Sequence, residues 1–257
     1  MSVCCSCRKE VELFELRKDV KKCAQCLCDQ VGRSIMDLFK KGLKLIPAPV
    51  HVLVAVSGGP SSLVLWDLLS KRLNTTHIGK SAVVRKLSAI STQPLNIPNL
   101  IEIPHFSIPD IVSYAKENDY NCVVFGFNVD HISLSNLAAV SCGRPDLSPW
   151  LSNDDSENYR PVVVLKPVRK CLESELKFYC DQNKISYDDT PSALYKAFPF
   201  ENKLLQRIKE EGHNDTSFAV QRMGERLQTM KQSYKCPTCG LPSNIEGPCQ
   251  MCLKLSD

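Results

Sequence analysis

Nowhere in the 257 residues does an apolar run approach the length of about 20 residues that a membrane-spanning helix requires. The start, Met1-Ser-Val-Cys-Cys-Ser-Cys7, has no apolar leader of the secretory kind. Neither a membrane partner nor an oxidising, secreted setting is therefore expected. Strong charge of one sign is missing as well: 32 Lys/Arg against 28 Asp/Glu leave a net charge of +4, too little to single out a partner by itself. Acid is absent locally instead. Residues 68–101 contain none, while Lys71, Arg72, Lys80, Arg85 and Lys86 lie inside that stretch. Residues 17–44 hold eight Lys/Arg against three Asp, an excess of five. Each stretch is either a solvated face or a polyanion footprint.

What the chain does have is cysteine, 14 in all. In a reducing compartment paired cysteines read as metal ligands rather than disulfides, which sets the expectation of an intracellular, cytoplasmic protein. At the C-terminal end Cys236-Pro-Thr-Cys239-Gly is followed, after nine intervening residues, by Cys249-Gln-Met-Cys252. Two such turns place four thiolates around one tetrahedral ion, and Gly240 supplies the tight turn after the second ligand. A structural zinc site is expected here, against a redox dithiol, an iron–sulfur cluster or free thiols. At the other end Cys4-Cys5-Ser-Cys7 and Cys23-Ala-Gln-Cys26-Leu-Cys28 offer six sulfurs for four places, with fifteen residues between Cys7 and Cys23. Cys4, Cys7, Cys23 and Cys26 are the expected ligands, with Cys5 or Cys28 as substitutes. A closed four-sulfur shell keeps no position open for substrate, so both zinc ions would serve folding. Cys122, Cys142, Cys171 and Cys180 read as small apolar residues in or near the core.

Between these clusters, strands alternate with helices. Residues 51–56 form a short β-branched run ending at Ser57-Gly-Gly, a buried strand entering a turn. A helix over 60–73 follows, then strands near 101–103, 122–127 and 161–165 and helices near 109–117, 130–140 and 170–183. That alternation predicts an α/β fold, a parallel sheet with helices on both faces. An amphipathic helix is expected over 32–44, a surface loop over 143–159, and a helical region over 198–230 interrupted near Gly212. The division is then 1–46, an N-terminal Cys4 zinc module with its helix; 47–197, the α/β domain; and 198–257, a helical segment with a C-terminal zinc ribbon.

A strand ending in glycines before a helix presents backbone N–H groups and a positive helix end to an anion. Here the loop reads Ser57-Gly58-Gly59-Pro60-Ser61-Ser62. With that strand before it, the loop resembles that of the PP-loop ATP pyrophosphatases, whose usual form is Ser-Gly-Gly-x-Asp-Ser. Within that superfamily the variant is similar to the cytoplasmic tRNA 2-thiolation protein 2 family. The terminal cysteine pairs, Gly126-Phe-Asn128-Val-Asp130-His131 opening a helix, Cys142-Gly-Arg144 closing it and Lys166-Pro-Val-Arg-Lys agree, so the resemblance covers nearly the whole chain.

Departures from the superfamily pattern carry the functional expectation. Ser61 replaces the acidic residue that helps hold the magnesium of ATP in active relatives, and Pro60 removes a backbone donor. The resemblance implies a central Cys-x-x-Cys and a downstream cysteine in thiolating members, yet residues 87–94 hold no cysteine and Asp188-Asp189-Thr190 stands where the downstream one would fall. No catalytic residue is therefore expected. The resemblance implies the non-catalytic subunit of a heterodimeric tRNA thiolase that converts wobble uridine U34 to 2-thiouridine. Its active PP-loop partner would carry ATP and an iron–sulfur cluster, and a ubiquitin-like thiocarboxylate carrier would supply sulfur. Lys18, Lys21, Lys22, Arg33, Lys40, Lys41 and Lys44 are the candidates for tRNA phosphate contacts. Asn128 and Asp130 are possible ligand contacts, although Asp130 also suits helix capping. His51, His77, His105 and His213 form no ligating pattern. Two rivals stand beside this reading: an active PP-loop enzyme using Asp188 or Asp189 for magnesium, and a zinc-ribbon nucleic-acid-binding module on an inert scaffold.

Overall fold

The computed structural model describes residues 3–73, 84–213, 215–227, 229 and 232–256; His77, Lys80 and Met230 lie outside them. After a short antiparallel hairpin, β1 (Phe14–Arg17) and β2 (Val20–Lys22), helix α1 (Ala24–Leu43) leads into a five-stranded parallel sheet. Its strands are β3 (Val50–Ala55), β4 (Val84–Ser91), β5 (Ile101–Glu102), β6 (Cys122–Phe125) and β7 (Val163–Leu165), ordered β5-β4-β3-β6-β7. The first of these strands in the chain, β3, is central, and the chain winds outward from it first one way and then the other.

Both faces of the sheet are covered, which is why its central strands read as continuous apolar runs. On β3, Val50, Val52 and Val54 face one hydrophobic cluster, shared with α1, α2 (Pro60–Leu73) and α6 (Glu173–Gln182). Leu53 and Ala55 face the other, shared with α3 (Ile108–Glu117) and α4 (Val129–Ser141). Strand β6 alternates in the same way, with Cys122 and Val124 on the first side and Val123 and Phe125 on the second. Cys122, Cys171 and Cys180 are buried, and burial pushes the thiols of Cys171 and Cys180 up to about 12.

Two sequence expectations are corrected. The 143–159 stretch is not a surface loop: a 3₁₀ turn (Pro145–Leu147) and α5 (Ser148–Ser152) pack there, burying Asp146, Leu147, Ser148 and Ser152. Its polar residues are drawn inward by a bidentate pair between Arg144 and Asp146 (2.9 and 2.8 Å) and by Lys166, whose ammonium donates to the carbonyls of Trp150 (2.5 Å) and Asn153 (2.6 Å). Helix α1 begins at Ala24 rather than near 32: Leu27 and Val31 carry its buried stripe back through the first two turns. The chain continues through α7 (Ala193–Ala197), α8 (Pro199–Glu210) and α9 (Thr216–Arg226), with Gly212 at φ +89° between the last two. It ends in the β8 (Tyr234–Lys235) and β9 (Pro242–Ser243) hairpin and α10 (Gln250–Ser256). Among the described residues no helix is long and apolar enough to cross a membrane.

Candidate functional site

In a doubly wound sheet the connections after two adjacent strands diverge where the winding reverses, leaving a crevice at their carboxyl ends. Here those strands are β3 and β6, and a cavity of about 1060 Å³ opens beyond them. The Ser57–Ser62 loop forms its floor. Gly58 adopts φ +85°, open to glycine at little cost. The Ser62 hydroxyl accepts from the Ser57 N–H (3.2 Å) and donates to the Gly59 carbonyl (3.0 Å), closing the turn from within. Pro60 is the first residue of α2, and Leu63 N–H is already bonded to Gly59 O (3.1 Å), so the N–H groups of Ser61 and Ser62 belong to the unpaired first turn.

The loop after β6 crosses this turn at contact distance: a Cβ on Gly126 would lie 2.8 Å from both Cα and N of Ser62. Glycine is what lets the two loops meet. Across the junction Asn128 Nδ2 donates to the Ser61 hydroxyl (2.9 Å), so the residue that replaces the acid is tied to its neighbour loop.

Helix α4 is capped by Asn128, whose Oδ1 accepts from His131 N–H (2.8 Å). Capping is therefore not the role of Asp130. That carboxylate is buried and joins three other elements, accepting from Ser217 Oγ (2.8 Å), Lys209 Nζ (2.6 Å) and Glu173 N–H (2.9 Å). Lys209 and Lys177 bring positive charge to the wall; Lys177 bridges Glu173 (3.2 Å) and Asp189 (2.5 Å). The Asp188-Asp189-Thr190 segment lies at the rim, with Asp188 N–H donating to Gly58 O (3.0 Å). The Thr190 hydroxyl and N–H hold the Asp188 carboxyl below its usual range. Gln93, just past β4, lines the opposite side, against Gly58.

A ring stack flanks the cavity: Phe127 lies parallel to Phe125 (5.2 Å) and to His131 (4.7 Å). Desolvation in this setting pushes His131 down to about 4, so it is neutral near pH 7. An unfolded histidine binds its proton near pH 6.5, and between about 6.5 and 4 the unfolded state alone is protonated. Stability linked to His131 is thus complete above the upper value and declines as pH falls through this window. An imidazole C–H titration by NMR should show a midpoint near 4, and a midpoint at 6.5 would contradict this environment.

Two cysteine groups lie apart from the cavity floor. The sulfurs of Cys4, Cys7, Cys23 and Cys26, and those of Cys236, Cys239, Cys249 and Cys252, each fall within 4.8 Å of one another. Cys7 and Cys23 sulfurs are 3.8 Å apart, about the edge of a tetrahedron with metal–sulfur bonds of about 2.3 Å. Both groups could hold a metal ion. Cys5, exposed, and Cys28, packed against the core, fall outside the first group. Backbone N–H donors pull Cys4 down to about 6, whereas its neighbours' thiols push Cys26 up to about 12; in the other group Cys249 is lowered and Cys239 and Cys252 are raised. Four crowded sulfurs do not all ionise unaided; a cation at the centre would supply the missing charge.

The C-terminal group is braced on the main body. Gly240, at φ +73°, passes so close to Tyr159 that a Cβ would sit 2.6 Å from the ring, and the Tyr159 hydroxyl donates to the Cys239 carbonyl (2.5 Å). Arg144 reaches the Pro242 carbonyl (2.6 Å). Of the basic candidates, Lys18, Lys21, Arg33, Lys40, Lys41 and Lys44 are exposed, while Lys22 donates to Gln30 (2.5 Å). On α1 they lie away from the buried stripe of Val31, Ile35, Met36, Phe39 and Leu43.

No protein-family model matches the chain. It is 25% identical to the tRNA-5-methyluridine(54) 2-sulfurtransferase of Thermotoga maritima, over 97% of this chain and 94% of that protein. It is 27% identical to cytoplasmic tRNA 2-thiolation protein 2 of Schizosaccharomyces pombe, over 51% of this chain and 37% of that protein. The U34-tRNA thiolase NcsA of Methanococcus maripaludis, solved with its [4Fe-4S] cluster, superposes with a TM-score of 0.65 at 16% identity, covering 98% of this chain and 95% of that one. The fold is the α/β, PP-loop type expected from the Ser57–Ser62 loop. The chain is a homologue of cytoplasmic tRNA 2-thiolation protein 2 and of the tRNA 2-thiolation enzymes.

Proposed function

We propose that this chain is the non-catalytic subunit of a heterodimeric, cytoplasmic tRNA thiolase that forms 2-thiouridine at wobble uridine U34. One observation supports it above others: among the described residues lining the cavity none is cysteine, and the loop offers Ser61, bonded to Asn128, in place of a magnesium-binding carboxylate. Gln93 and Asp188 stand at the rim on the two segments that carry sulfur-handling cysteines in the thiolating members this chain resembles. An active PP-loop subunit would therefore carry ATP activation and the iron–sulfur cluster, and a ubiquitin-like thiocarboxylate carrier would deliver sulfur to it.

In this reading the chain contributes binding and shape. Lys18, Lys21, Arg33, Lys40, Lys41 and Lys44 contact tRNA phosphates, Asn128 contacts ligand, and the two four-cysteine groups hold structural zinc, which suits tetrahedral thiolate shells. The units 1–46, 47–197 and 198–257 divide these roles rather than the core, since α1 packs into the same cluster as β3. The purified chain, given ATP, sulfur donor and tRNA, should leave no 2-thiouridine detectable by mass spectrometry of the digested tRNA. Sustained turnover without a partner protein would overturn the proposal.

A second reading has its own support. Asp188 and Asp189 both line the cavity, Asp188 with its carboxyl held below the usual range, and the Thermotoga relative named as a sulfurtransferase aligns along nearly the whole chain. They would bind magnesium in an active enzyme. Micromolar Mg-ATP binding by calorimetry favours it, and the lack of such heat favours the non-catalytic role.

A further inference from the structure

The β1–β2 hairpin lies wholly within the segment that joins Cys7 to Cys23, so the first four-cysteine group fixes both ends of it. Cys5 N–H donates to the Lys21 carbonyl (3.2 Å), and Cys23 N–H to the Cys4 sulfur (3.4 Å), which holds β2 against the sulfur cluster. The other strand faces the body of the protein. Glu15 and Leu16 of β1 line the central cavity, while Arg17 lines a second cavity of about 560 Å³. Strand β1 thus borders both cavities.

Its attachment is specific. Arg17 Nε and Nη2 grip the buried carboxylate of Glu175 at 2.7 and 2.9 Å, and Nη2 also reaches the Lys170 carbonyl (3.3 Å). The guanidinium lies 4.8 Å from the Phe218 ring centre, and Phe14 packs on Phe178 at 4.8 Å. Glu175 Oε2 in turn accepts the Leu172 N–H (2.9 Å) at the entrance to α6. Leu172, Glu173 and Ser174 are themselves cavity wall, and Glu173 N–H is bonded to Asp130.

We propose that the N-terminal four-cysteine group is a metal-dependent clasp on the central cavity: the bound metal holds the hairpin, Arg17 holds Glu175, and Glu175 holds the α6 entrance that forms the wall. This rests on the reading that the group binds metal. Loss of the ion frees the hairpin ends and withdraws Arg17 from a carboxylate that is buried, so the α6 entrance loses its brace while the sheet beneath remains packed. Occupancy of a peripheral metal group then sets the shape of the site some distance away. The C-terminal group docks elsewhere, through Tyr159, Phe198 and Arg144 on the other face of the sheet, and makes no described contact with the hairpin or with Glu175.

Hydrogen exchange of the full-length protein, followed by mass spectrometry with metal content measured alongside, tests the clasp. Cys7→Ser should lower metal content by one ion and raise exchange of amides 172–177 at least about tenfold, with the strands unchanged. Arg17→Gln should give the same rise with metal content intact, a readout that does not require the metal group to be disturbed. Cys252→Ser, at the other group, should leave 172–177 as in the unaltered protein. An Arg17→Gln protein with unchanged exchange overturns the proposal, as does an equal rise from Cys252→Ser, which marks a general loss of stability. Absence of metal from the N-terminal group of the unaltered protein removes the premise and is seen in the metal analysis alone.

Discussion

Replacing Cys236 with serine will cut the metal content from about two ions per chain to one and unfold the C-terminal module, 234–256, while the parallel sheet stays folded. Cys236 is buried, its sulfur accepts the Cys249 N–H (3.2 Å), its own N–H donates to the Leu241 carbonyl (2.9 Å) and its carbonyl accepts the Gly240 N–H (2.8 Å). The sulfur therefore belongs to the turn as well as to the metal shell. A hydroxyl is a poor substitute for thiolate, and structural zinc contributes on the order of 10–16 kcal/mol in small modules of this kind, far more than a hairpin of two-residue strands can supply. The consequence reaches beyond the module: Leu241 and Met251 share a cluster with Leu147, Tyr159 and Phe198. Thermal stability should fall, and exchange protection should vanish first from 234–256. Retention of two ions in the Cys236→Ser protein would show that another ligand set is used.

Asp130→Ala should destabilise the fold by about 3 kcal/mol. The carboxylate is only 5% exposed and serves three donors on α6, α8 and α9. Its removal leaves the Ser217 hydroxyl and the Glu173 N–H without this acceptor, each costing about 1–3 kcal/mol. Lys209, 31% exposed, can turn to water, which keeps its share small. Asp130→Asn, with one oxygen retained, should lose about half as much. Urea denaturation measures both, and an alanine variant within about 0.5 kcal/mol of the parent would mean that α8 and α9 are held by other contacts.

The framework around the cavity was legible in sequence where local chemistry dictated structure. The apolar run at 51–56, the glycines behind it and Pro60 at the helix start marked β3, the loop and α2 almost to the residue, because each is a local requirement of strand, turn or helix. Strand β4 carries no such mark. Its sequence Val84-Arg-Lys-Leu-Ser-Ala-Ile-Ser91 pairs with β3 from the start, yet it opens with exposed charges and is fully buried only from Ala89, so neither an alternating nor a continuous pattern shows. The short helices of 145–152 are hidden for a related reason: Asp146 turns inward to Arg144, Ser152 to Asn136 and the Trp150 carbonyl to Lys166, so polar composition does not mark the segment as exposed.

By itself, the sequence determined the doubly wound α/β class, the loop of Ser57–Ser62 and the pairing of cysteines into two groups, since strand periodicity, glycine geometry and ligand spacing act over a few residues. Tertiary structure alone decided which four of six N-terminal sulfurs converge, that Asp130 joins three helices instead of capping one, and that Gln93, Asp188 and strand β1 meet at one cavity. Those outcomes depend on elements far apart in the chain being brought together by a buried sheet, and no local pattern encodes where its carboxyl ends will point.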